Sequence, residues 1–242
     1  VSPDHGALPN VDEDNYFAAR HETIAQTIEH KAVAVTRLID HLGITHMSGI
    51  GHSQGGAVLA VTAGMRPESF SKIILDNPAG MGTQDTMTLV KGAHAEALNE
   101  MKRHQGNAPE IEKPSPKLAK RMFQKLLTDP LWRATEEIPG IAHTDIRPVL
   151  ARMKSERDTK GGPEIILVKS NNDQIFKAGE TEQALGENPF DTLVDRHVMY
   201  IDKDAGHGAI RTNIKPGLYP QILEKAPQSI IHQLVTEKAD KK

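Results

Sequence analysis

No cysteine occurs in the 242 residues. A disulfide framework, a thiolate metal site and a thiol nucleophile are therefore excluded, while the redox compartment is left open. The chain also lacks a charge bias: 29 basic and 32 acidic residues leave a net charge of -3. No large field of one sign draws it to nucleic acid or to an anionic membrane surface, and small neutral substrates fit better as partners. No apolar run approaches the roughly 18 residues of a membrane span. Val1 to Asn10 lacks the basic and apolar regions of a signal peptide, so the expectation is a soluble, cytoplasmic protein, although a signal removed ahead of this numbering would leave no trace. Nucleotide and metal signatures are missing too. There is no G-x-x-x-x-G-K-[ST], no G-x-G-x-x-G and no His-Glu-x-x-His, and Arg20-His21-Glu22 is not followed by a second histidine at the right place.

What is present is enough apolar material, 38% of the chain, to bury one sizeable core, and one domain is expected. Val1 to Asn10 reads as the tail of a strand entering a loop. A helix is expected from about Tyr16 to Leu42, on the spacing of Ile24, Ile28, Ala32, Ala34, Leu38, Ile39 and Leu42, with Gly43 as its stop. Strands are expected at Ile44 to Ile50, Ser71 to Asp76, Glu164 to Lys169 and Arg196 to Ile201, with a helix over Ala57 to Met65. The sequence from Asn77 to Gly162 offers three helices instead: Thr86 to His104, one opening at Ser115-Pro116, and Thr144 to Arg157. Joints at Pro109, Pro114 and Pro139 separate them. A final amphipathic helix is expected over Leu218 to Glu237, followed by a solvated lysine-rich tail. Strand, helix, strand in so short a span implies right-handed parallel crossovers.

The stretch on which function turns is Gly51-His52-Ser53-Gln54-Gly55-Gly56. A strand that turns directly into a helix strains its central residue, and small residues at 51 and 55 have a steric reason to be there. Ser53 is thereby placed on the tip, with the N–H of Gln54 at a helix start, positioned to stabilise an oxyanion. Nine serines and 19 glycines would yield G-x-S-x-G by chance in roughly 6% of such chains, and its placement between strand and helix lowers that risk. Asp173 and His207 fall in polar loops that also directly follow predicted strands, at the carboxyl ends where parallel sheets build their sites. A serine hydroxyl needs a base, and a histidine serves best when an acid holds its other nitrogen. Asp76, at the end of the preceding strand, is a second candidate for that acid. His52 reads as a packing residue. Met87, Met101, Met122, Phe123 and Trp132 read first as the core of the helical segment and only then as an acyl pocket.

In this organisation the chain resembles the α/β-hydrolase superfamily, in particular its esterase and lipase-like members with a helical cap. Gly51 to Gly56 resembles the nucleophile elbow, Asn172-Asp173-Gln174-Ile175-Phe176 the acid loop, and Ala205-Gly206-His207-Gly208 the histidine loop. The resemblance implies a mostly parallel sheet with helices on both faces, one domain over residues 1–242, and a cap at 77–162 within a core of 1–76 and 163–242. It implies a serine hydrolase that cleaves a carboxylic ester, with catalytic Ser53, Asp173 and His207, an oxyanion donor at Gln54, and neither cofactor nor metal. The Asp-Gln-Ile-Phe context favours Asp173 over Asp76. Thioester or amide cleavage is the alternative within enzymes, and a binding protein that no longer turns over is the alternative outside them. The resembled fold has further strands ahead of the elbow strand, whereas Asp4 and Ser53 are separated by one long helix only. His5-Gly6 is then not the oxyanion loop, and the numbering is expected to begin inside a longer protein. On that expectation the isolated chain has an unpaired strand edge, poor solubility and little activity.

Overall fold

In the computed structural model, residues 26–82, 84–104, 137–177, 192–201, 206–207 and 231–235 are described. The expectations for the loop at 1–10, the start of the first helix, the helix at Ser115 with Met122, Phe123 and Trp132, the joints at Pro109 and Pro114, and the tail all lie outside them.

Helix α1 (Gln26–His41) buries Ile28, Ala32 and Ile39 on one stripe. It ends where Gly43 takes a left-handed φ of 63°. The Gly43 N–H then bonds to Asp40 O and the Ile44 N–H to Ile39 O, the paired closure of a Schellman motif. Because Ile44 spends its N–H on this cap, the strand expected from Ile44 starts later, as β1 (Met47–His52). It runs straight into α2 (Gln54–Met65), whose buried Gly56, Ala57, Ala60, Thr62 and Ala63 are all small, so the helix lies close to the strands. A short 3-10 turn, Pro67–Ser69, leads to β2 (Phe70–Asp76).

Three helices follow among the described residues: α3 (Thr86–His104), α4 (Ile138–His143) and α5 (Arg147–Lys160). Pro139, expected to be a joint, lies in the first turn of α4, where a missing N–H costs nothing. The helix expected from Thr144 begins at Arg147, since the Arg147 N–H is taken by Asp145 Oδ1 and the Ile146 N–H reaches Gly80 O. Val149 of α5 sits against Gly64 of α2, so this helix packs on the elbow helix.

Strands β3 (Glu164–Ser170), β4 (Arg196–Ile201) and β5 (Ile231–Val235) complete a five-stranded sheet in chain order, every pair parallel. Strand β5 corrects the expected final helix over Ile231 to Val235, the rest of that helix, from Leu218, lying outside the described residues. Ile230, Ile231, Leu234 and Val235 satisfy a helical spacing, yet Ile231 to Val235 pairs with His197 to Ile201. A short apolar run with β-branched residues fits either period, and the edge of β4 takes it as a strand. The core centres on β2 and β3, where Ile73 to Leu75 and Ile165 to Val168 are buried on both faces, as strands between helical layers must be. Strand β1 has β2 as its one sheet neighbour among the described residues, and its Ile50 is 48% exposed.

Candidate active site

The turn from β1 to α2 puts Ser53 at φ 55°, ψ -126°, a strained conformation for a residue with a side chain. Four backbone bonds hold it there: the Ser53 N–H donates to Asp76 O at 3.0 Å, and Ser53 O accepts from the N–H groups of Gly56, Ala57 and Ala79. The steric demand for glycine differs from the expectation. A Cβ on Gly51 would lie 2.5 Å from Gly55 O, and one on Gly56 2.8 Å from Pro78 Cβ, whereas one on Gly55 would meet nothing within 4 Å. The close approaches are thus at 51 and 56, where the strand end, the helix start and Pro78 crowd together. The Gln54 N–H is among the first of α2, a group with no acceptor inside its own helix. The Gln54 side chain accepts from Lys31 Nζ at 3.1 Å, and Lys31 in turn reaches Glu137 at 3.2 Å.

Asp173 follows β3, and its local sequence fixes its carboxylate. Oδ1 accepts from the N–H groups of Ile175 and Phe176, at 2.8 and 2.9 Å, which leaves Oδ2 for His207 Nδ1 at 2.9 Å. Since a carboxylate can only accept, Nδ1 carries the proton, and in the neutral ring Nε2 is the basic nitrogen. Asp173 and His207 are both buried. Burial pushes the Asp173 carboxyl up, but the hydrogen bond and charge of His207, the Lys169 ammonium and the Phe176 amide outweigh it and hold the group below the ordinary carboxylate range. Among the described residues, His207 Nε2 has no hydrogen-bond partner.

The histidine loop is tied to the elbow from behind. His52 Nε2 donates to the His207 carbonyl at 2.8 Å, and the two rings lie 4.7 Å apart. His52, expected to pack, thus links the residue before Ser53 to the loop that carries His207. Asp76, the other candidate acid, is fully buried and lies beside His52 in the sheet register; the bond to His207 is made by Asp173.

Two residues that the sequence did not single out complete the arrangement. Asn77, at φ 42° after β2, accepts from the Ser170 N–H through Oδ1 and donates through Nδ2 to Ser170 Oγ and the His207 carbonyl. It knots the ends of β2 and β3 to the histidine loop. An asparagine directly after a buried strand, able to take a positive φ, was the available signal. Glu96, on α3 and 4% exposed, accepts the His207 N–H at 2.9 Å. A lone acidic residue in an amphipathic helix carries no such signal. Helix α3 also meets the acid loop, for a Cβ on Gly92 would run into the Gln174 carbonyl, and Gln84 donates to Ile175 O at 3.0 Å. Among the described residues no group of three or more His, Asp or Glu side chains could hold a metal ion, and no helix is long and apolar enough to cross a membrane.

No family model and no curated protein matches the sequence. Solved structures do match the fold. A serine hydrolase from the polyaromatic hydrocarbon-degrading bacterium Cycloclasticus zankles aligns with a TM-score of 0.52 and 15% identity, over 83% of this chain and 73% of its own. A hydrolase from Oleispira antarctica aligns at 0.51 and 14%, over 88% and 74%. An esterase from Exiguobacterium antarcticum, at 0.46 and 16%, is matched over 74% of this chain, which spans 66% of that esterase's length. With its parallel sheet in chain order, its strained serine between β1 and α2, and these structural neighbours, the chain has the α/β-hydrolase fold.

Proposed function

We propose that the chain is a serine hydrolase that cleaves a carboxylic ester through an acyl-enzyme on Ser53. The observation that carries this reading is the buried His207–Asp173 bond of 2.9 Å at the carboxyl end of the sheet, on a loop that His52 fastens to the elbow. His207 Nε2 takes the Ser53 proton as the hydroxyl attacks the carbonyl carbon. Asp173 keeps Nδ1 protonated and faces the imidazolium with a negative charge. The developing oxyanion is met by the Gln54 N–H and the positive end of α2. His207 then returns its proton to the departing alcohol, and a water molecule, activated by the same nitrogen, releases the acid. The description of the Cycloclasticus neighbour as a serine hydrolase agrees with this chemistry.

A fluorophosphonate probe tests the reading on the full chain, because it labels only an activated serine. Labelling is expected on Ser53, and Ser53→Ala is expected to abolish both labelling and turnover of short p-nitrophenyl esters while leaving the urea unfolding midpoint nearly unchanged. Labelling at another residue, or turnover retained by the variant, would overturn it. A wild type that folds but neither labels nor turns over would favour the binding-protein alternative, and a preference for thioesters or amides over esters would move the substrate class.

A further inference from the structure

One buried charge has no part in the chemistry above. Lys169 occupies the end of β3, directly after the apolar run Ile165 to Val168, and is 1% exposed. Its ammonium donates to the Phe176 carbonyl at 2.9 Å, stands 6.0 Å from the centre of the Phe176 ring, and lies 4.0 Å from Asp173 Oδ2, the oxygen that holds His207. Burying an ammonium is costly unless it is paired, and Asp173 Oδ2 is a carboxylate oxygen that this one faces.

Two carboxylates and a second histidine meet His207: Asp173 on its Nδ1, Glu96 of α3 on its backbone N–H, and His52 of β1 against its ring. Both carboxylates are buried, and a nearby cation favours the charged form of a buried carboxylate. On the other side, Lys169 faces Asp173 and also acts on His197 of β4.

We propose that Lys169 is a positioning residue for the Asp173–His207 pair, whose positive charge, 4.0 Å from Asp173 Oδ2, keeps that carboxylate charged as the acceptor of His207 Nδ1. The inference rests on His207 being the base, and its test is chosen so that the two can fail separately.

The imidazole of His207 is titrated by NMR in the full chain labelled at histidine, its signal identified by its loss in His207→Gln. In Lys169→Met, which keeps the length of the side chain and removes the charge, the midpoint is expected to rise by about one pH unit. In Lys169→Arg it is expected to stay near the wild-type value. The pH profile of fluorophosphonate labelling should move its acid limb by the same amount. An unmoved midpoint in a folded Lys169→Met overturns the inference. Should that variant not fold, Lys169→Gln carries the same test, and failure of both to fold while Lys169→Arg folds would make the role structural and overturn it as well. A shifted His207 midpoint in a chain that never labels would instead sink the hydrolase reading and leave the electrostatic link standing.

Discussion

At the scale of single residues, the question is which acid serves His207. Two buried aspartates lie at adjacent strand ends, and only the geometry of the Nδ1 contact separates them. Asp173 makes that contact at 2.9 Å, while its other oxygen is held by two amides of its own loop. Asp173→Asn should therefore lower ester turnover by about 1,000- to 10,000-fold, because an amide in place of the carboxylate no longer fixes the ring tautomer or offsets the imidazolium. Asp76→Asn should cost far less. Steady-state rates of the two variants decide it, and a dead Asp76→Asn beside an active Asp173→Asn would transfer the role. That Ser53, Asp173 and His207 each stand after a strand of the sheet was legible in the sequence, because each follows an apolar run with a polar or glycine-rich turn, a pattern with a mechanical cause. Lys169, Asn77 and Glu96 were not. Their contacts depend on which strand end or helix face meets the acid and histidine loops, and that is set by packing between segments far apart in the chain, as the 111-residue separation of Glu96 and His207 illustrates.

At the scale of elements, α3 reaches the candidate site. It touches both loops of the candidate site, through Gly92 at the acid loop and Glu96 at the histidine loop, and Gln84, just ahead of it, also bonds to the acid loop. A movement of α3 away from the sheet would break the bond from the His207 N–H to Glu96, so on the proposed reading α3 and the placement of His207 are coupled. Glu96→Ala should speed hydrogen exchange across Thr86 to His104 and reduce kcat several-fold with little change in KM. Glu96→Gln, which retains an acceptor, should restore most of both. Slower exchange than wild type in the alanine variant would contradict the coupling. The bounds of α3 were readable because nineteen residues give a periodic pattern room to declare itself. Strand β5 was not readable, since five residues fit both periods, and the choice was made by the edge of β4. The start of β1 was missed for a local reason, the use of the Ile44 N–H in closing α1.

At the scale of the whole molecule, the charges buried in the sheet make stability depend on pH. His197 of β4 is buried beside the Lys169 charge, and burial first, then that charge, pushes its pKa down to about 4 from an ordinary value of 6.5. The folded chain therefore keeps His197 neutral over a range in which the unfolded chain protonates it. Wherever the unfolded state binds more protons, stability falls as pH falls. The contribution of His197 is thus complete above about pH 6.5, declines as pH drops through the window from 6.5 to about 4, and is fully lost below that. Between pH 7 and pH 5 the loss from this one group amounts to about 2 kcal/mol. Asp173 adds a loss of the same sign at lower pH, because its carboxyl is held below the ordinary range when folded and takes up its proton first when unfolded. Urea unfolding at pH 7 and at pH 5 measures the slope directly. His197→Gln, which removes the titrating group from the same buried place, should be less stable than wild type at pH 7 yet lose markedly less on acidification to pH 5. An identical loss in wild type and variant would mean that His197 is protonated in the folded chain over this range, and that the burial of β4 is looser than its position beside β3 implies.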